Sequence, residues 1–184
     1  EIGMTNFDFS SLAQVKDVER VNIDQLMRRL HIPAKLRWRW IRTASRDNAR
    51  TPMQWQNAPG AGFTSGTPWL GINGNYKRIN YEAQRHDANS VLGYYKRMAA
   101  LRSASETLKY GEFTPLFAHC GVMAYARTLG TERFVTLLNF SLRDRRAPME
   151  GEVVIANTGI TAYAGLLAPY EAVVLRQNIE EANP

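Results

Sequence analysis

The hydrophobic period of this chain changes once, near Tyr110 and Gly111, and that change limits what the chain can fold into. Upstream, wherever a pattern exists, apolar residues recur every three to four positions. Downstream they alternate with polar residues. After the change, residues 122–128, 133–141, 152–156 and 171–176 read as strands, and Gly130, Gly151 and Gly159 mark turns between them. Short strands separated by turns predict an antiparallel β-sandwich of roughly seventy residues. The polar tail from Asn178 is expected to fray.

Residues 17–30 read as a helix with Val18, Val21, Leu26 and Leu30 as part of an apolar stripe. Asp17 and Glu19 sit near its positive end, and His31, Ile32 and Pro33 stop it. In a second helix, residues 35–44, Leu36, Trp40 and Ile41 are expected to face inward with Trp38 beside them. Arg37, Arg39 and Arg42 are expected to stay in water. Residues 90–109 give the clearest helix, with Val91, Tyr94, Tyr95, Met98, Leu101 and Leu108 at helical spacing. Asp87 or Asn89 is its expected cap and Gly111 its stop. The chain therefore reads as α+β in two parts, residues 1–109 and 110–184.

For about thirty residues after Ala44 all periodicity is lost, and Pro52, Pro59, Gly60, Gly62, Gly66, Pro68, Gly71 and Gly74 punctuate the stretch. Trp55, Phe63 and Trp69 lie inside it. A disordered linker would not hold three large aromatics, so this reads as an ordered loop folded onto a surface.

Composition removes other classes. With 45% hydrophobic and 22% charged residues, the chain is an ordinary globular one. Apolar runs such as 135–140 are too short to cross a bilayer, so no membrane is expected. The net charge of +6 raises nucleic acid as a partner. Much of that charge lies between Lys16 and Arg50, a basic stretch of this kind is usually a solvated helix face, and no recognised motif surrounds Trp38 and Trp40; no nucleic acid is expected. A single cysteine, Cys120, excludes an intrachain disulfide and reads as a small apolar residue near a strand. It also fits a reducing compartment, so a bacterial cytoplasmic setting is expected. No cofactor or metal is expected.

The segment Ser45-Arg46-Asp47-Asn48-Ala49-Arg50-Thr51-Pro52-Met53-Gln54-Trp55 resembles a loop of oligo-1,6-glucosidases and related α-glucosidases, in glycoside hydrolase family 13. The resemblance continues through Ala61-Gly62-Phe63-Thr64, Thr67-Pro68-Trp69 and Asn75-Tyr76-Lys77-Arg78-Ile79-Asn80. Upstream, Glu1-Ile2-Gly3-Met4-Thr5-Asn6 looks like the end of that family's last barrel strand. Asp17-Val18-Glu19 looks like its acidic helix start.

The resemblance implies a (β/α)8 barrel whose final loop and helices occupy residues 1–109, followed by the antiparallel β domain. It implies a retaining glycosidase that acts from the end of short α-glucosidic oligosaccharides with a carboxylate nucleophile and a carboxylic acid/base. Those carboxylates, and a further Asp, follow earlier strands, so the resemblance leaves them outside this chain. Glu82, Asp87, Glu106 and Glu112 stand in no motif that would pair them. No catalytic residue is therefore expected here, and the chain alone is expected to be inactive. Its expected helix stripes would lack a barrel to cover, so self-association is expected.

The resemblance assigns three residues to substrate binding: Arg46 at the non-reducing glucose, and Arg50 and Glu19 facing the next sugar. A guanidinium presents planar donors and a carboxylate presents acceptors, which together suit vicinal hydroxyls. The plainer reading of the residues, that Arg46 and Arg50 only tie the loop to itself, stays open. So does an alternative function, a stand-alone carbohydrate-binding or structural β module. Against that alternative, Tyr125, Phe134, Phe140 and Tyr170 fall at strand positions and read as core.

Overall fold

A computed structural model describes residues 1–180. The chain forms two compact units, one from Glu1 to Gly93 and one from Tyr94 onward. In the first unit, helices α1 (Val18–Arg29) and α2 (Ala34–Ala44) are followed by a long irregular stretch with 3-10 turns, and then by the short helix α3 (Tyr81–Gln84). Phe9, Val15 and Ile41 are buried together, with Phe7, Leu12, Val21, Trp38 and Trp40 packed around them.

The helices sit where the periodicity puts them, yet two side chains exchange their expected environments. Leu36 is 56% exposed. Arg37, expected in water, keeps only 14% of its side chain exposed and lies 3.2 Å from a carboxylate oxygen of buried Asp24. Arg28 pairs with the same carboxylate at 2.6 Å. A buried carboxylate demands cations, and that demand turns the 37 position inward. As a result the residue that α1 buries is Asp24, while Val18, Leu26 and Leu30 are exposed.

The helix expected over residues 90–109 is two helices. Helix α4 (Val91–Ala104) ends at Ser105, whose hydroxyl accepts the Leu108 N–H at 3.1 Å and caps α5 (Glu106–Tyr110). The cap of α4 is Ser90, accepting from the Gly93 N–H at 3.0 Å, rather than Asp87 or Asn89. Gly111 stops α5 because of close approach. A Cβ there would stand 2.5 Å from the Thr107 carbonyl oxygen and 2.9 Å from that of Thr128.

In the second unit, β1 (Glu112–His119), β2 (Val122–Leu129), β3 (Glu132–Asn139), β5 (Glu152–Ala156) and β7 (Ala172–Asn178) form one antiparallel sheet in the order β1-β2-β3-β7-β5. Strands β4 (Arg145–Arg146) and β6 (Leu166–Leu167) pair as a separate ribbon. Alternation assigns the two faces. Val122, Ala124, Ala126, Val135, Leu137, Val173 and Leu175 lie on one face with Ala147 and Leu167 of the ribbon region. Phe134, Ile155 and Val174 lie on the other, covered by Tyr94, Met98, Leu101 and Leu108 of the helices. Asn139 ties the ribbon region to the sheet, donating to the carbonyls of Arg143 (2.8 Å) and Ala168 (2.7 Å).

Strand β1 carries no clear alternation and holds Pro115, which an edge strand tolerates. Cys120 lies near a strand as expected, directly after β1 in the β1–β2 turn, where it is exposed with φ 49°. Phe140 and Tyr170 are exposed too. They lie just beyond strand ends rather than in the core, and Tyr170 has φ 56°. Asn178 belongs to β7, and Ile179 donates to the Thr131 carbonyl at 2.8 Å, so the chain is held further than the polar tail suggests. The rest of that expectation lies outside the described residues.

Leu137 is wholly buried between cross-strand partners Ala124 and Val173. Leu137→Ala is expected to cost about 2–5 kcal/mol of unfolding free energy, as a cavity in a packed core does. Leu36→Ala, at an exposed position, should stay within about 0.5 kcal/mol. Urea unfolding measures both; equal losses would show that the faces are misassigned.

Candidate functional site

The motif residues fall on a 3-10 turn, Arg46–Ala49, directly after α2. Two buried carboxylates fix it to the start of α1. Asp47 accepts the backbone N–H groups of Lys16 (2.6 Å) and Asp17 (2.9 Å) on one oxygen. Asp17 answers by accepting the Arg46 backbone N–H at 2.9 Å and the Arg46 Nη2 at 3.0 Å. Each aspartate thus holds the backbone beside the other. Ser45 begins the turn, its hydroxyl accepting the Asp47 N–H at 3.2 Å.

Burial is the largest single influence on Asp17 and favours its neutral form. The Arg46 side-chain bond, the Arg46 N–H and the Arg46 charge together outweigh it, and the carboxyl is brought down to about 2. The same partnership raises the Arg46 guanidinium above its ordinary value. Asp17 is therefore a fixed anion at neutral pH and has no proton to donate.

The structure brings two of the three expected binding residues together. Arg46 Nη2 lies 3.5 Å from the Glu19 carboxylate, and 55% and 51% of the two side chains are exposed. Arg20 stands 3.9 Å from Glu19 and stacks over Trp40 at 4.3 Å. Arg50 stands apart from that pair, with Nη1 at 3.8 Å from Asp47 Oδ1 and much of its side chain exposed. Beside it, Glu1, Gly3, Met4, Asn48, Thr51 and Met53 line an open depression.

The remaining motif polar groups are scaffold. Gln54 is fully buried and donates to Asn75 Oδ1 (2.9 Å) and the Ile79 carbonyl (2.6 Å). Asn73 donates to the carbonyls of Thr5 and Asn6, and Asn75 donates to the Thr5 hydroxyl at 2.8 Å. Asn48 accepts the Phe7 N–H at 3.1 Å. These bonds stitch the aperiodic stretch to the first residues of the chain, and Trp55, Phe63 and Trp69 are left exposed.

The sequence did not single out Asp17 and Asp47 as positioning groups. A carboxylate beside a helix start is ordinarily a cap or a dipole partner, and nothing local announces a bond across some thirty residues. Glu82 pairs with Arg85 at 3.0 Å and Glu106 with Lys109 at 2.5 Å, both on the surface. Among the described residues no grouping of three or more His, Cys, Asp or Glu could hold a metal ion, and no helix is long and apolar enough to cross a membrane.

Comparison with known proteins places these features. The family described as alpha amylase, catalytic domain, matches residues 1–111. The oligo-1,6-glucosidase of Parageobacillus thermoglucosidasius is 36% identical over 96% of this chain and 34% of its own length. The trehalose-6-phosphate hydrolase of Bacillus subtilis (strain 168) is 32% identical over the same shares, 96% and 34%. Among solved structures, the isomaltulose synthase from Klebsiella sp. LX3 superposes with a TM-score of 0.88 at 36% identity, over 95% of this chain and 34% of its own. The chain spans about a third of the length of these relatives.

The depressed Asp17 value sets a pH prediction. The folded value lies below the ordinary one of 3.8, so the stabilisation it brings is fully present above about 4 and lost as pH falls towards 2. Urea unfolding between pH 6 and pH 2 should show that loss, and Asp17→Asn should be less stable at pH 6 with a shallower slope below 4. An unchanged slope in Asp17→Asn would rule out this carboxylate as its source.

Proposed function

This chain belongs to the α-amylase family, and on that premise we propose that it is the C-terminal portion of an exo-acting, retaining α-glucosidase of the oligo-1,6-glucosidase kind. The substrate is a short oligosaccharide with a terminal α-glucosidic bond. The observation that carries this reading is the exposed pair of Arg46 on the motif loop and Glu19 at the start of α1, 3.5 Å apart. Planar donors beside an acceptor suit adjacent sugar hydroxyls, and proteins similar to this chain include oligo-1,6-glucosidases.

In this proposal residues 1–109 are the last part of a (β/α)8 barrel and residues 110–184 a β-sandwich domain. The separate ribbon over one face of the five-stranded sheet supports the second assignment. Arg46 binds the glucose under attack, and Arg50 and Glu19 face the leaving sugar. The nucleophile and the acid/base lie outside this chain: Asp17 is a locked anion, and Glu82 and Glu106 are engaged on the surface by Arg85 and Lys109. The lone thiol fits a cytoplasmic setting. The exposed Val18 and Leu26 of α1, with Leu30 just past its end, are the surface through which the chain alone self-associates; light scattering of a compact monomer would overturn that.

The chain alone is expected to release no p-nitrophenol from its α-glucoside. Release that follows the chain through repeated purification would overturn the assignment of the carboxylates. In the whole protein, Arg46→Lys should lower kcat/KM by roughly 100-fold, about 2.7 kcal/mol of transition-state stabilisation, because lysine keeps the charge and loses the planar fork. Arg50→Ala and Glu19→Gln should instead shift the ratio of α-1,6 to α-1,4 disaccharide turnover, since a misplaced leaving group changes which oxygen meets the acid. Near-parental activity in Arg46→Lys, with Arg50→Ala inactive on both substrates, would reverse the two roles.

A further inference from the structure

The β unit contains a pocket that the glycosidase reading does not use. It lies on the helix-covered face of the sheet and encloses about 330 Å³, within the range of small-molecule sites. Met98 of α4, Leu108 of α5 and Val174 of β7 give it an apolar floor. Phe113 of β1 and Tyr125 of β2 stand together as an aromatic wall, their rings 5.4 Å apart. Thr136 contributes a hydroxyl-bearing side chain from β3.

Two arginines also line this largely apolar space. Arg102 donates through Nη1 to the Leu108 carbonyl, and Arg127 donates through Nη1 to the Gly111 carbonyl at 2.7 Å. Both side chains are thereby held by backbone. Among the described residues neither arginine has a carboxylate within 4.0 Å, whereas Arg28, Arg37, Arg42, Arg46, Arg85 and Arg176 all do. A guanidinium has five N–H donors, and a single carbonyl uses only part of them. Two cations at one apolar pocket, without a protein anion, form a complementary field for a ligand that brings one.

We propose that this pocket is a binding site for a small amphipathic carboxylate, its acid group on Arg102 and Arg127 and its apolar body against Met98, Leu108, Val174 and the Phe113–Tyr125 wall. The planar fork of arginine matches a carboxylate in two-point contact. The apolar floor and the aromatic wall select against a bare inorganic anion, which would bring no surface to bury there. All the lining residues lie in the second compact unit, from Tyr94 onward, and the glycosidase reading gives none of them a role.

The test uses sodium benzoate as the probe, titrated into the chain while the methyl signals of Met98, Leu108 and Val174 are followed by NMR. Benzamide, of the same shape and uncharged, and inorganic phosphate, charged and without an apolar body, are titrated in parallel. Benzoate is expected to shift these signals with a Kd of about 1 mM or tighter, and benzamide to bind roughly tenfold more weakly. Phosphate should leave them unmoved. The double substitution Arg102→Gln with Arg127→Gln should reduce benzoate to the benzamide level. If the double variant fails to fold, Arg102→Gln alone, at an exposed helix position, must weaken benzoate at least threefold without changing benzamide. Equal binding of benzoate and benzamide, shifts by phosphate as large as those by benzoate, or no shift at all would each overturn the proposal.

Discussion

The reciprocal hold of Asp17 and Asp47 is the constraint on which the first unit rests. The stretch after Ala44 makes few regular hydrogen bonds of its own, so its place must be set from outside. Asp47 bonds the backbone at Lys16 and Asp17, and Asp17 bonds the backbone at Arg46. A buried carboxylate is costly unless its lone pairs are filled. Here backbone N–H groups and one guanidinium bond both oxygens of Asp17 and Oδ2 of Asp47, while Asp47 Oδ1 makes no hydrogen bond among the described residues and has the Arg50 guanidinium 3.8 Å away; the start of α1 and the end of α2 are thereby closed on each other. Removing Asp47 would strand the N–H groups of Lys16 and Asp17, and removing Asp17 those of Arg46, so both positions are structural even though they border the exposed pair Arg46 and Glu19.

From that anchor the amides carry the loop onward. Asn48 accepts the Phe7 N–H, Gln54 donates to Asn75 and the Ile79 carbonyl, and Asn73 and Asn75 both donate to the Thr5 hydroxyl. The first residues of the chain receive most of these bonds, so the loop is ordered without being helical or extended. The β unit is held differently, by register. Val135 and Leu137 alternate with Phe134 and Thr136 between two apolar layers. A slip of one residue would exchange the layers and carry Thr136 into the wholly apolar one.

Periodicity made much of this legible. The change at Gly111 separated helices from strands, and β2, β3, β5 and β7 lie where alternation put them. Strand β1 escaped because an edge strand needs no regular pattern and can hold Pro115. The split of α4 from α5 escaped because Ser105 interrupts the backbone without interrupting the apolar spacing. The exchange of Leu36 and Arg37 escaped because a buried Asp24 on another helix decides it, and pattern along one helix cannot report what the neighbouring helix demands. At the site, Arg46 and Arg50 came from the resemblance of the loop, and Glu19 from that of the segment Asp17-Val18-Glu19. The separation of Arg50 from the other two, and the carboxylates that fix the turn, are tertiary facts that only coordinates supply.

The pairing of Arg46 with Asp17 also bears on the choice between tying the loop and binding a ligand. A guanidinium committed wholly to its own protein would be a tie and nothing more. Arg46 gives Asp17 an Nη2 contact at 3.0 Å and a weak Nε contact at 3.5 Å, and more than half of its side chain stays exposed. With five donors in a fixed fork, the edge toward Asp17 sets the plane of the group and the rest remains for an outside acceptor. In the proposed reading the two roles are sequential rather than exclusive. The buried acid spends the orientational entropy of a long side chain at folding, so a ligand arriving at Arg46 meets a donor array already in place. Glu19, at 3.5 Å and half exposed, is not buried in the same way. It keeps freedom to move toward an incoming donor, and so the adaptable partner of the pair is the carboxylate and the fixed one the arginine.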